Sequence, residues 1–123
     1  MSGTDLRELS VDELVESFAA FALGQYEADL DDDIPEFTRL FWQMEAVEEE
    51  LKSRAPDRRR ALTLLYDHPN VQVRLGAAKA TLAVAPDDAR KLIEAIAKSG
   101  EFPQAGDAGM TLDALDRGIF KPT

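Results

Sequence analysis

The segment that most constrains the fold lies in the middle of the chain, at residues 64–82. A first helix must end at His68-Pro69, because the residue before a proline avoids the α-helical backbone conformation. Asn70 can cap a second helix, whose apolar residues recur three and four positions apart along two separate stripes. These stripes are Val71, Leu75, Ala78, Leu82 and Val73, Ala77, Ala80, Val84. Since a helix with two apolar faces is buried on two sides, the segment predicts a helix, a tight corner and a sandwiched helix.

Two further helices are predicted before this segment. Ser10 and Glu13 have the spacing of a capping box, which indicates a helix start. After an acidic linker at residues 29–33, Asp33 can cap a second helix that has Pro35 in its first turn. The apolar face of this second helix is predicted to consist of Phe37, Leu40, Phe41, Met44, Val47 and Leu51.

A weak repeat begins after the second helix. Ala55-Pro56-Asp57 recurs as Ala85-Pro86-Asp87, thirty residues later, and a period of this size is typical of stacked helical hairpins. We therefore predict a single all-α domain over residues 1–123, an α-α superhelix of three stacked helical hairpins with six helices. Residues 1–9 are expected to be a flexible N-terminus and residues 119–123 a tail. Gly106 and Gly109 are expected to permit a close approach between helices.

The charge of the chain restricts its partners. The sequence has 24 acidic and 14 basic residues, a formal net charge of −10, which disfavours nucleic acid and favours a basic protein partner. It contains no cysteine, which suits a reducing compartment. It also has no N-terminal apolar run and no long apolar segment, so a cytoplasmic protein without a membrane partner is expected. No cofactor is implied.

The corner segment is similar to a unit of the HEAT or armadillo-like helical repeats. The resemblance rests on Leu64-Leu65, Asp67, Val73-Arg74, Ala77-Ala78 and Leu82. It implies that Asp67 and Arg74 form a structural corner, in which the two side chains pair and bind backbone carbonyls. In the second copy Gln104 stands in place of the arginine, so the resemblance does not extend that pairing to it.

The same unit occurs together with Pro86-Asp87-Asp88-Ala89 and with the stretch at residues 106–112. This combination resembles a small bacterial family catalogued as a domain of unknown function, number two-thousand-nineteen in its series. The resemblance implies a helical-repeat fold and transfers no catalytic residue.

Four groups of residues could carry chemistry, and each has a simpler structural explanation. His68 is the single imidazole, but it lacks the partner spacing of a catalytic triad or a metal motif and fits a turn. Asp29, Asp31 and Asp33 alternate as in a calcium loop, although Ile34 and Leu40 occupy the required glycine and glutamate positions. The carboxylates Glu45, Glu48, Glu49 and Glu50 could join a metal site inside a bundle, but the chain lacks the Glu-x-x-His pairs of such sites and a solvated helix face explains them. The cations Arg58, Arg59 and Arg60 could clamp a phosphate or a carboxylate, but at least one of them is expected to pair with the surrounding acids. We expect no catalytic residue and no metal site.

The predicted function is a non-enzymatic protein-binding module, for example an adaptor or an immunity-type inhibitor. Its partner is a protein, for example a basic one, or a second copy of the chain. By the thirty-residue equivalence, the concave side should present Arg39, Gln43, Gln72, Lys79, Met110, Asp113 and Arg117, with Trp42 at the rim. Two alternatives are a small metal-dependent or hydrolytic enzyme that uses His68 with nearby acids, and a structural homodimer.

Overall fold

The computed structural model describes residues 5–123, which form five α-helices and two 3-10 helices and contain no strand. The α-helices are α1 (Val11–Leu30), α2 (Ile34–Ser53), α3 (Val71–Ala80), α4 (Pro86–Ala97) and α5 (Gln104–Asp116), and the 3-10 helices are Leu6–Glu8 and Arg59–Asp67. The protein is therefore all-α. None of the described helices is both long and apolar enough to cross a membrane. The chain divides into two compact units, of which the first ends at Ala61 and the second begins at Leu62.

The first unit consists mainly of α1 and α2, which pack against each other, and both helix starts are confirmed. At α1 the Ser10 hydroxyl accepts from the Glu13 N–H at 3.1 Å, while the Glu13 carboxylate accepts from the Ser10 N–H at 2.9 Å. At α2 the Asp33 carboxylate accepts from the Glu36 N–H at 3.1 Å, with Pro35 in the first turn. These reciprocal bonds satisfy backbone donors that have no partner within a helix.

The turn between α1 and α2 is shorter than the predicted linker, because α1 continues to Leu30 and contains Asp29. Asp32 has a φ of 54°, in the left-handed region that few residues other than glycine adopt. Aspartate tolerates this conformation better than most side chains, which lets three residues reverse the chain.

The start of the described chain is attached to the end of α2. Arg54 donates to the Leu9 carbonyl at 2.7 Å and to the Leu6 carbonyl at 3.1 Å, and it also pairs with Glu50 at 2.9 Å. The sequence predicts a flexible segment at residues 1–9. Residues 1–4 lie outside the described residues, and Leu6–Glu8 forms a 3-10 helix.

The buried face of α2 differs in one respect from the predicted face. Leu40, Met44, Val47 and Leu51 are buried as expected, but Phe37 is half-buried and the Phe41 side chain is 43% exposed. The buried residues follow steps of three and four, and Phe41 lies about 100° around the helix from Leu40. Its place on the core face was therefore a wrong prediction.

The helix predicted to end at His68-Pro69 is a 3-10 helix, Arg59–Asp67. Its buried residues are Arg59, Leu62 and Leu65, three positions apart. Residues three apart lie on one side of a 3-10 helix, which has three residues per turn. On an α-helix, residues at this spacing would gradually move to a different side. Between them, Leu64 is 71% exposed.

The second unit is built around α3, in which seven of ten residues are buried. Asn70 caps the helix by accepting from the Gln72 and Val73 N–H groups at 2.8 Å and 3.2 Å, as predicted. The two apolar stripes are buried except for Val84, which is half-buried in the turn that follows Ala80. The burial of both stripes therefore confirms the prediction that α3 is apolar on two faces.

The helices of the second unit have a different spacing from the thirty-residue offset that the sequence suggests. Helices α3 and α5 begin at residues 71 and 104, an offset of 33, because the corner before α3 has three residues (68–70) and that before α5 has six (98–103). A shift of 33 relates all four buried residues of α5 to buried residues of α3, namely Gln104, Ala105, Ala108, Thr111 to Val71, Gln72, Leu75, Ala78.

The expectation for the two glycines of α5 is not met in the described residues. A methyl group added at Gly109 would meet no atom within 4 Å, and one at Gly106 would meet only the Phe102 ring at 3.9 Å. Gly24 is instead the helical glycine at a close approach, since a methyl group there would lie 2.8 Å from the Leu40 side chain. Small side chains in a sequence do not by themselves reveal which helix face has a neighbour.

Candidate functional site

The net charge of the protein is concentrated in its first unit. Up to Ala61 the chain has 16 acidic and 7 basic residues, and from Leu62 onward it has 8 and 7. The formal charges are therefore −9 and −1, which together make the −10 of the whole chain. Any electrostatic attraction for a basic partner arises almost entirely from the first unit.

Helix α2 presents large apolar side chains to solvent at its N-terminal half. Ile34 and Trp42 are 74% and 64% exposed, and the ring of Phe41 meets that of Trp42 edge to face at 5.0 Å. Ile34 and Phe41 lie seven residues apart, which is close to two helical turns, so they share one side of the helix with Trp42. The residues that α2 buries lie on a different side.

Carboxylates continue the same side of α2 toward its C-terminus. Glu45 and Glu49 lie three and seven residues after Trp42, and Glu48 lies seven residues after Phe41. Within residues 5–123 these three side chains have no ion pair. We call Ile34, Phe41, Trp42, Glu45, Glu48 and Glu49 the acidic aromatic face.

Glu48 is a half-buried carboxylate within this face. Burial raises the pKa of its carboxyl to about 7, and the charges of Glu45 and Glu49 contribute to the rise. Arg59 and Lys52 oppose the rise without cancelling it. A cation brought to this face would favour the ionised carboxylate.

A cavity of about 260 Å³ opens at the turn between α1 and α2, next to the acidic aromatic face. It is lined by Ala28, Asp29, Asp32, Asp33, Ile34 and Phe37. Ile34 belongs to both the cavity wall and the face, so the exposed apolar residues have carboxylates at each end. Within residues 5–123 no group of three or more side chains is arranged to hold a metal ion.

The structure places three of the predicted site residues on α2. Trp42 and Gln43 are exposed, and Arg39 is exposed and pairs with Glu36 at 2.7 Å. Trp42 belongs to the acidic aromatic face, whereas Gln43 lies about 100° further around the helix.

The predicted residues of the second unit are mostly bonded within that unit. Gln72 is buried and its side-chain oxygen accepts from the Gln104 amide at 3.1 Å, and Lys79 pairs with Asp107 at 3.0 Å. Met110 is exposed, and Asp113 and Arg117 form an exposed pair with each other at 3.3 Å. Gln72 and Lys79 therefore join α3 to α5, which the sequence pattern did not indicate.

The corner residues have structural roles, but one predicted contact is replaced. Arg74 donates to the carbonyls of His68 and Pro69 at 2.8 Å and 3.0 Å, as the repeat resemblance implies. Its acidic partner is Glu101 at 3.5 Å, whereas Asp67 is exposed and does not pair with it in the described chain. His68 accepts the Asn70 N–H on Nδ1 at 3.0 Å. The longer corner before α5 supplies Glu101, which explains the substitution of partners.

The basic run is also partly used by the fold. Arg59 is buried and pairs with Asp57 at 2.8 Å, and the hydrogen bond to Asp57 holds the pKa of Arg59 above its usual value. The same contact lowers the pKa of the Asp57 carboxyl. A buried, paired arginine is not available to clamp a phosphate.

Sequence reasoning missed Ile34, Phe41 and Glu48 as members of a surface. Phe41 was assigned to the core, and Glu48 was interpreted as part of a solvated helix face. Placing every residue of α2 at about 100° steps around the axis would have brought the three to one side, although not their degree of exposure.

Comparisons with known proteins agree with this all-α description. The chain is 51% identical to the protein RPA1889 from Rhodopseudomonas palustris CGA009. The crystal structure of RPA1889 matches the structure of this chain with a TM-score of 0.94, and the match covers 98% of this chain and 100% of RPA1889. No curated protein matches this chain. The model of the family described as "Domain of unknown function (DUF2019)" matches residues 12–116. The chain belongs to the DUF2019 family, as the combination of the helical corner with the stretches at residues 86–89 and 106–112 suggests.

Proposed function

We propose that this protein is a non-enzymatic protein-binding module whose contact surface is the acidic aromatic face of α2. The observation that carries the proposal is the exposure of Trp42, at 64%, beside the partly exposed Phe41. Tryptophan is enriched among the residues that dominate binding energy at protein interfaces. Its large apolar area is costly to leave in water unless a partner covers it.

The roles of the polar residues support binding over catalysis. His68 is the single imidazole, and its Nδ1 accepts a backbone N–H at the corner before α3. Arg74 donates to two carbonyls of the same corner. Both residues thereby have a structural role, which favours the binding hypothesis over an enzyme that uses His68.

The proposed binding module is small and acidic. An adaptor or an immunity-type inhibitor would fit a small acidic module, and the absence of cysteine fits the cytoplasm. The stacked HEAT-like or armadillo-like superhelix remains a prediction from the sequence. Self-association through the acidic aromatic face is disfavoured, because two copies would bring carboxylates against carboxylates.

The test is affinity capture from the source cell with three immobilised baits. These are the wild-type protein, Trp42→Ala, and Leu64→Ala as a matched control that removes another highly exposed apolar side chain. We expect the wild-type and Leu64→Ala baits to retain the same protein and Trp42→Ala to lose it. Recovery of no protein, or equal recovery by all three baits, would contradict the proposal.

A sedimentation measurement addresses the homodimer alternative. We expect a monomer mass at micromolar concentration. If the protein is a dimer and Trp42→Ala dissociates it, the acidic aromatic face binds a second copy. No other partner is then needed to explain why this face is exposed in the single chain.

A further inference from the structure

We propose that the acidic aromatic face binds a cationic amphipathic helix of the partner protein. The inference rests on the proposed function and adds the chemistry and the shape of the ligand. Apolar residues of the partner helix would cover Ile34, Phe41 and Trp42, while its lysines or arginines would lie over the carboxylates at either end.

The charge pattern along α2 identifies the partner as cationic. The exposed apolar centre has Glu45 and Glu49 after it and, before it, the cavity that contains Asp29 and Asp33. Neither Glu45 nor Glu49 has an ion pair within residues 5–123, so both remain available to a cation. An acidic or neutral partner would have to bury these charges without compensation, which is costly.

The geometry of the exposed residues favours a helix over an extended segment. Ile34 and Phe41 are separated by seven residues, and this near two-turn spacing matches the repeat with which helices pack side by side. Thr38, a smaller exposed residue, lies between them on the same side of the helix. The face from Ile34 to Glu49 extends over about 22 Å, the length of a helix of about fifteen residues.

In the second unit, cations pair with carboxylates of the same unit, in contrast to the acidic aromatic face. Lys79, Arg90 and Arg74 each reach a carboxylate of another segment, at 3.0 Å, 2.9 Å and 3.5 Å respectively. These three cations are bonded within the unit, whereas Glu45 and Glu49 on the acidic aromatic face form no ion pair within residues 5–123. Arg59 and Lys52 weaken the negative potential near Glu48 without cancelling it, so the face still attracts a cation from a partner.

The experiment is selection from a random peptide display library with the folded full-length protein as bait, with counter-selection on Trp42→Ala. We expect the enriched peptides to contain at least two lysines or arginines and apolar residues at helical spacing. The selected peptide, made synthetically, should bind Trp42→Ala about tenfold more weakly or worse, and its affinity should fall as salt is added.

Two double variants that each remove two negative charges distinguish a direct contact with the peptide from an effect of the protein's net charge. Glu45→Gln with Glu49→Gln should weaken peptide binding about three- to tenfold. Asp87→Asn with Asp88→Asn removes the same charge from exposed positions of α4 and should leave binding nearly unchanged. Circular dichroism of each variant verifies that it is folded.

Three outcomes would overturn the inference: no enriched peptide, enrichment of neutral or acidic sequences, or equal weakening by the two double variants. If capture from the source cell still gives a Trp42-dependent protein, only the cationic helix is refuted and the binding function stands. If capture also fails, the proposed function fails with it.

Discussion

The two compact units are nearly equal in length but treat their charges differently. In the second unit, cations of α3 and α4 reach carboxylates of other segments, as in Lys79 with Asp107 and Arg90 with Asp116. In the first unit the ion pairs are local, such as Arg39 with Glu36, and Glu45 and Glu49 are left on the surface. Charges that join elements serve the fold, whereas the carboxylates left beside exposed aromatic rings are the feature on which the proposed binding surface rests.

The largest expected effect tests whether the apolar residues of the first unit divide into core and surface as described. Phe18 is 1% exposed on α1, and Phe18→Ala is expected to lower the free energy of unfolding by about 3–5 kcal/mol because it leaves a cavity. Leu30→Ala, at an exposed position of the same helix, should change it by about 0.5 kcal/mol or less. Urea unfolding followed by circular dichroism measures both. Equal losses would remove the distinction between the two sides of this unit.

The next effect tests whether polar contacts in the second unit hold the fold together. Gln104→Leu removes the amide that donates to the buried Gln72 side-chain oxygen at 3.1 Å, and a cost of about 1–3 kcal/mol is expected. Adding Gln72→Leu should recover part of this loss, because both polar groups are then replaced by apolar ones. A double-mutant cycle of unfolding free energies gives the coupling energy. A coupling near zero would mean that the contact contributes nothing to the unit.

A smaller effect tests the half-buried carboxylate of Glu48 on α2 through the pH dependence of stability. The pKa of Glu48 is about 7 in the folded protein, above the ordinary value of 4.5 that applies when the chain unfolds. Below pH 4.5 the carboxyl is protonated in both states, so it costs no stability. Between pH 4.5 and 7 the unfolded chain ionises first, and wild-type stability falls as pH rises.

Glu48→Gln should remove this fall and stabilise the protein at pH 8 by about 1–2 kcal/mol, since solvent screens part of the effect, with no gain at pH 4. Asp88→Asn, at an exposed position of α4, controls for the change in net charge. Unfolding in urea at the two pH values gives the comparison. A gain that is the same at both would show that the substitution acts through packing and not through ionisation.

The smallest effect concerns α5 of the second unit. Gly109→Ala adds a methyl group into open space inside a helix, and alanine should stabilise the protein by about 1 kcal/mol. Gly100→Ala should destabilise it, because Gly100 has a φ of 76°. Thermal unfolding ranks the two variants. A loss at Gly109 would show that another surface approaches α5 there.

Local features of this fold could be predicted from the sequence, and long-range ones could not. The caps at Ser10, Asp33 and Asn70 depend on residues within three positions, so each was predicted correctly. The exposure of Phe41 and the contact of Gln72 with Gln104 depend on which segments lie opposite. Periodicity gives the direction of a side chain around its helix but not the neighbour that it meets.

The candidate site follows the same division. Trp42 could be singled out because it lies off the apolar stripe of its helix, and the proposal of a basic partner started from the acidic composition. The choice of the first unit over the second required the fold, because it depends on where exposed aromatic rings lie beside carboxylates that form no ion pair in the described residues. Lys79 and Asp107 are 28 residues apart in sequence, and no local pattern joins them.

Trp42 is also the single tryptophan of the chain, and its indole is already largely in water in the folded protein. Unfolding should therefore move its fluorescence emission maximum only slightly, whereas a partner that covers the indole should shift the maximum toward shorter wavelengths. In this protein, intrinsic fluorescence should report the occupancy of a surface more than the integrity of the fold. The molecule thus has a built-in optical probe at the position where a partner is expected.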